Sequence, residues 1–226
     1  MSKKMMLLAT ALTALAFAAL PAVASAGTPQ IHCPSGSTCS ATLSGGHGEL
    51  TKTGGFASVT CTSTTGTATI GTEGGTMQLL FHGCKDSVFG AACTTSGQTS
   101  GTITTKVLPY DNTYLTAGKT VPGVLVTPEG GGGPEKFGTF ATFSCIDGNH
   151  TVTGNGVMGR LETGCNSPQA SLPIQFEQTQ AGHQTHKQIT GTGAIYDLTD
   201  GSATAAMNTT GTATATGGGN FTITCV

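Results

Sequence analysis

His183 and His186 are the closest pair of histidines in the chain, three residues apart. On a helix that spacing puts both rings on one face, where they could chelate a transition metal, whereas on a strand it puts them on opposite faces. The Gln-rich, Gly-bounded segment around them is not a clear helix, so they read as polar surface histidines. Oxygen ligands for calcium are offered by Asp147-x-Asn149 and Asp197-x-x-Asp200-Gly201. Neither carries the ligand ladder of an EF-hand loop, and Asp-Gly hairpin turns account for both. Serine hydrolases announce their nucleophile on a Gly-x-Ser-x-Gly elbow, which is absent. A glycosidase needs two carboxyl groups facing each other across a cleft, and no local spacing pairs any of the 11 acidic residues. We therefore expect no catalytic residue, no metal and no cofactor.

Binding chemistry has one candidate stretch. Tyr110, Asp111, Asn112 and Tyr114 resemble a polar-aromatic binding loop, since aromatic rings supply large contact areas at low entropy cost. The chain has no Trp and 3 Tyr, so little else could stack on a ligand. Loops from Tyr110 to Lys119 and from Glu129 to Lys136, the latter with four consecutive glycines, are the expected carriers of function.

The elements that would position these residues are strands. Thr alternates with Ala, Ile and Val in Thr67-Ala68-Thr69-Ile70, Thr151-Val152-Thr153 and Thr212-Ala213-Thr214-Ala215-Thr216. That period of two, rich in β-branched residues, marks half-buried strands. Further strands are expected at Ala41 to Leu43, Met77 to Phe81, Gly101 to Leu108, Gly123 to Thr127, Val157 to Leu161, Leu172 to Glu177, Gln188 to Thr190 and Ala194 to Leu198. Frequent Gly-Gly and Asp-Gly turns separate them, and no amphipathic helix follows residue 26.

A frame recurs. Phe56-Ala57-Ser58-Val59-Thr60-Cys61 leads to Gly75-Thr76-Met77 and then Cys84, and Phe140-Ala141-Thr142-Phe143-Ser144-Cys145 leads to Gly156-Val157-Met158 and then Cys165. Both second segments read Gly-x-Met-x-x-Leu-x-x-Gly-Cys, the signature of a duplicated β unit. Val59, Phe143 and Ile223 each stand two residues before a cysteine and so share its strand face, which should point inward. The expected fold is all-β: a disulfide-stapled antiparallel β-sandwich, immunoglobulin-like or related. Its repeats would be residues 27–118 and 119–226, either separate or joined in one sandwich.

Lys3 and Lys4 precede an apolar run from Met5 to Leu20, followed by Pro21 and Ala24-Ser25-Ala26. Residues 1–26 read as a secretory signal peptide, too short in its apolar run to span a membrane. Without its two lysines the 9 basic residues fall to 7, against 11 acidic ones, a net charge of −4. With no basic stripe, phosphate-directed binding of nucleic acid has no source. We expect a secreted protein with no membrane span after cleavage and an extracellular or envelope ligand.

All 8 cysteines lie beyond the leader: Cys33, Cys39, Cys61, Cys84, Cys93, Cys145, Cys165 and Cys225. An even number in an exported chain, with no Cys-x-x-Cys, reads as a disulfide framework. Cys33 and Cys39 bracket a turn and should pair, and Cys145 is expected to join Cys165 within the second copy. The other four allow Cys61–Cys84 with Cys93–Cys225, or Cys84–Cys93 with Cys61–Cys225.

The strand Phe56 to Cys61, Gly101-Thr102-Ile103-Thr104-Thr105, Pro122-Gly123-Val124-Leu125-Val126-Thr127, Val152-Thr153-Gly154-Asn155-Gly156-Val157 and Tyr196-Asp197-Leu198 resemble segments of exported, cysteine-containing all-β proteins of high-GC Gram-positive bacteria. The resemblance implies an exported bacterial protein and transfers no activity. The functional expectation is an exported, non-enzymatic β-sandwich that presents a surface or binds a ligand. The alternatives are an extracellular polymer hydrolase or a carbohydrate-binding module.

Overall fold

The computed structural model describes residues 27–53, 58–116, 118–129, 136–179, 182–186 and 195–225. The signal-peptide reading of residues 1–26, the Gly130 to Gly133 tract and the strand expected at Gln188 to Thr190 lie outside them. Among the described residues there are strands and no helix, hence no helix long and apolar enough to cross a membrane. In chain order the strands are β1 (Gln30–His32), β2 (Thr38–Lys52), β3 (Val59–Cys61), β4 (Ser63–Gly71), β5 (Gly74–His82) and β6 (Lys85–Asp86). There follow β7 (Ile103–Thr104), β8 (Leu108–Tyr114), β9 (Pro122–Val126), β10 (Gly138–Cys145), β11 (Gly148–Gly154) and β12 (Val157–Leu161). The last are β13 (Pro168–Gln169), β14 (Leu172–Phe176), β15 (Leu198–Asp200), β16 (Ala203–Ala215) and β17 (Phe221–Thr224).

The all-β class stands, but the main sheet closes into a barrel where a sandwich was expected. Strands follow one another in the order β2-β4-β5-β8-β9-β12-β14-β16, each antiparallel to the next, and β16 returns to β2 over ten residue pairs. Alternation of inward and outward residues is common to sandwiches and barrels, so it could not distinguish them. Closure depends on β2 and β16 meeting. Residues 27–118 supply β2, β4, β5 and β8, and residues 119–226 supply β9, β12, β14 and β16, all around one core.

The two closing strands outrun the barrel. β2 pairs with β4 through its first half and with β3 through its second. On its other side from β2, β16 pairs with β14 from Thr209 to Ala213 and with β15 from Ala203 to Ala205. Their far ends therefore carry a second sheet, ordered β10-β11-β15-β16-β2-β3-β6, which caps one mouth of the barrel. Bridges from Thr94 to Ser144 and from Thr105 to Ala141 lead from β10 back towards β7, which pairs with β5 of the barrel. The opposite mouth is plugged by the small sheet β1-β17-β13. Its Ile31, Phe221 and Ile223 are fully buried, and Ile31 lines the same small void as Ile70, Met77, Tyr110 and Leu172 of the barrel. The inward orientation expected for Val59, Cys61, Phe143 and Ile223 holds, all four being buried.

Four disulfides secure the two ends and leave no free cysteine. Cys33–Cys39 and Cys165–Cys225 hold the plug, and Cys61–Cys84 and Cys93–Cys145 hold the cap. Cys33–Cys39 and Cys61–Cys84 were among the expected pairs. The pairings Cys145–Cys165, Cys93–Cys225, Cys84–Cys93 and Cys61–Cys225 are overturned. The physical reason is that the two halves of the second frame diverge: β10 joins the cap, whereas β12 lies in the barrel between β9 and β14. Cys145 and Cys165 thus belong to different layers. Such a framework belongs to an oxidising compartment.

Each cross-link that closes a long loop restricts the unfolded chain by about 2–4 kcal/mol. Cys93–Cys145 spans 52 residues and Cys165–Cys225 spans 60. Replacing Cys93 and Cys145 together with alanine should lower the unfolding free energy by about 2–4 kcal/mol. Urea unfolding of the variant beside the parent checks this, and peptide mapping of the unreduced protein should recover the four pairs above.

Candidate functional site

Two features meet where the cap covers the barrel. The first is an apolar cavity of about 80 Å³. The barrel contributes Leu79, Val126 and Phe176 to its wall, and the cap contributes Val59, Phe143 and Val152. Leu50, Phe81 and Met207 are half-buried and form its rim. Gly48 makes room there: a Cβ at this position would come within 3.0 Å of the Phe81 ring. Thr105, a polar residue of the wall, uses its hydroxyl to accept a hydrogen bond from the Leu79 amide at 3.0 Å. The wall therefore offers apolar contact and little else.

The second feature is a cluster of charges inside the cap. Lys52, on the second half of β2, donates from Nζ to Oδ2 of Asp200 at the end of β15, at 2.8 Å. The His150 ring, on β11, meets the same oxygen through Nδ1 at 2.7 Å and reaches Oδ1 of Asp147 through Nε2 at 2.9 Å. Both ring nitrogens face carboxylates, and Lys52 Nζ also lies 3.3 Å from Nδ1. Phe143, from the cavity wall, stacks on the His150 ring with centroids 5.0 Å apart. The side chain of Asp200 is 4% exposed and that of His150 is 7%.

The chain folds locally in a way that brings these groups together. Asp200 ends β15 and Gly201, at φ +63°, starts a two-residue turn into β16, as expected for an Asp-Gly hairpin. Asp147 stands in the turn between β10 and β11. Asp147 and Asp200 thus both stand at hairpin turns, whereas Asp197 precedes β15 and pairs with Asn155. Burial pushes the Asp200 carboxyl up, but hydrogen bonds from Lys52 and His150 outweigh it and hold the group below its ordinary range. Asp147 is also held low, chiefly by its hydrogen bond with His150.

Among the described residues Cys145, Asp147 and His150 form the one group close enough to share a metal ion. The Cys145 sulfur is tied up in its disulfide, and His150 and Asp147 already satisfy one another, so the donor set does not suit a metal. His183 and His186 do not converge. The first lies 3.9 Å from Asp197 and the second 3.5 Å from Glu177.

The residues proposed for binding lie elsewhere. Tyr110 to Tyr114 form part of strand β8 of the barrel, where a loop was expected. Tyr110 points inward, its hydroxyl 3.5 Å from the Thr69 carbonyl, and burial pushes its ionisation well above the usual tyrosine range. Asn112 is buried and donates to the Thr72 carbonyl at 2.9 Å. Tyr114 is buried as well, and Asp111 alone of the four is exposed. Pairing of β8 with β5 and β9 turned the polar-aromatic run into a strand. Residues 130–135 of the second expected loop lie outside the described residues. Sequence reading missed Lys52 and His150 because Lys52 lies 98 residues from His150, and His150 lies 50 residues from the Asp200 that both share. A lone lysine on an otherwise apolar strand face was the available signal.

The cluster gives an acid-side prediction. Because the folded carboxyls titrate below their unfolded value of about 3.9, the unfolded chain binds more protons as the pH falls. The contribution is complete above that value and is lost as the pH drops through the depressed folded values. Urea midpoints should therefore fall between about pH 4 and 2, more shallowly in Asp200→Asn. At pH 7 Asp200→Asn should cost about 3–5 kcal/mol, since it strands Lys52 and His150 without their shared anion.

Comparison with protein-family models, with curated proteins and with solved structures finds no match to this chain, so its function rests on the geometry of the site.

Proposed function

We propose that this chain is an exported, non-enzymatic binding protein, and that its ligand is a small apolar molecule or the apolar end of a larger one, held between barrel and cap. The cavity of about 80 Å³ is the observation that carries this reading. A void of that size costs about 2 kcal/mol at about 24 cal/mol per Å³, a large fraction of a domain's net stability. An apolar cavity stays dry, so a hydrophobic guest enters it without displacing hydrogen-bonded water.

The non-enzymatic part is supported by the state of the reactive groups. Every cysteine is in a disulfide, so no thiolate is free for attack. The buried histidine has both nitrogens engaged by carboxylates and none left to act as a base. Export is supported by the disulfide framework and by the leader-like residues 1–26. The half-buried rim of Leu50, Phe81 and Met207 gives a guest its route in.

Xenon is a suitable probe at this size, because benzene takes a cavity of about 150 Å³. Xenon under pressure should raise the melting temperature of the mature protein, and methyl NMR should show shifts confined to the wall. Ala141→Leu, which adds three carbons at the wall, should abolish both effects while the fold persists. An unshifted melting temperature together with no xenon site in the cap would overturn the reading.

A further inference from the structure

The outer face of the barrel carries a second surface, unrelated to the cavity. β16, β2 and β4 are neighbours, and their outward residues stand in register. Thr212 faces Ser44, which faces Thr65; Thr214 faces Thr42, which faces Thr67. In the next row the Thr216 amide bonds to the Ser40 carbonyl, and Ser40 faces Thr69. β5 extends two of the rows with Gln78 opposite Thr67 and Thr76 opposite Thr69. The result is a three-by-three lattice of short hydroxyl side chains, eight of them exposed and Thr212 half-buried.

The chemistry of this lattice narrows its partner. It contains no charged residue, which removes the attraction needed for a mineral face or an ionic polymer. It contains no aromatic ring on which a sugar could stack. All of its strands are paired on both sides, so no backbone edge is left to take up a peptide strand. Thr65 shares its hydroxyl with His82 at 2.7 Å, while the other eight side chains make no hydrogen bond among the described residues. They are free to hold water. A shallow trough of about 430 Å³ runs between Ser40, Thr42, Thr67, Thr69, Thr76 and Gln78. That is room for roughly a dozen waters at about 30 Å³ each.

Regularity is the remaining property. Hydroxyls repeat at about 4.8 Å from strand to strand and at about 6.7 Å along each strand, close to the repeats of water oxygens on a face of hexagonal ice. Threonine is stiff about χ1, so its hydroxyl and methyl are held in place before any partner arrives. We propose that this face binds ice: the hydroxyls anchor a layer of water in the trough, and that layer merges with the crystal lattice.

The test uses the mature, oxidised protein on a single ice crystal held just below its melting point. The wild type should facet the crystal, open a gap between melting and freezing, and suppress recrystallisation of a fine-grained ice film. Thr42→Lys, at the centre of the lattice, should lose all three effects, and so should Thr67→Lys on the adjacent strand. Thr151→Lys, exposed on the cap, should keep them. Circular dichroism establishes that each variant is folded. A wild type that leaves ice growth unchanged, full activity in both lattice variants, or adsorption to crystalline cellulose in place of ice would overturn the proposal.

Discussion

Everything in this molecule depends on the pairing of β2 with β16. Ten residue pairs join a strand from near the start of the described chain to one from near its end. Their first use is to close the barrel, which abolishes the exposed edges that an open eight-stranded sheet would present. Their second is to run beyond it and carry the cap. A bulge between Thr209 and Gly211 lies opposite the stretch from Gly45 to Gly48, where β2 exchanges β4 for β3, and a few residues further β16 exchanges β14 for β15. Between β14 and β15 on β16 lies the described segment 182–186. Its Gln184 is fully buried and reaches the backbone of Met207.

The lean core explains why both ends need covalent help. Inward positions on β2, β4 and β16 include Ala41, Ala68, Ala213 and Ala215, which bury little apolar surface each. Near the plug these small side chains leave room for Ile31 to enter from the end, whereas under the cap larger side chains enclose a gap. Long-range pairing also makes the topology entropically costly to close. Disulfides at plug and cap offset part of that cost by restricting the unfolded chain.

Local features of the fold were legible in the sequence. Val157 to Leu161 is a strand to the residue, Thr67 to Ile70 and Thr212 to Ala215 alternate as written, and both Asp-Gly turns are hairpins. Closure was not legible, because it is decided between residues more than 150 positions apart. Nor was the fate of the repeated frame, whose second copy splits between cap and barrel. The polar-aromatic run at Tyr110 misled for a related reason: period-two burial and turn-like composition coincide there, and the neighbouring strands β5 and β9 settled the matter. The charge cluster escaped notice because its members come from three distant places in the chain, around Lys52, His150 and Asp200, and share no motif.

That cluster bears on specificity more than on net stability. The buried Asp200 carboxylate and the Lys52 ammonium paired with it are costly to take from water, and well-packed apolar residues could hold the cap at least as well. Register is what the charges can enforce. A slip of one residue between β2 and β16 would turn Lys52 to the opposite face of the cap and leave Asp200 and His150 without it. The outer faces of β2, β4 and β16 are nearly blind to a slip of two, since one Thr or Ser replaces another there, and on β16 Ala also replaces Ala inside. With Lys52 at one end of the pairing, opposite Ala205 and bonded to Asp200, such a slip would strand buried charges. The repetitive barrel face and the singular charged cap are therefore complementary: the first makes the pairing easy to form, and the second selects the register in which it closes.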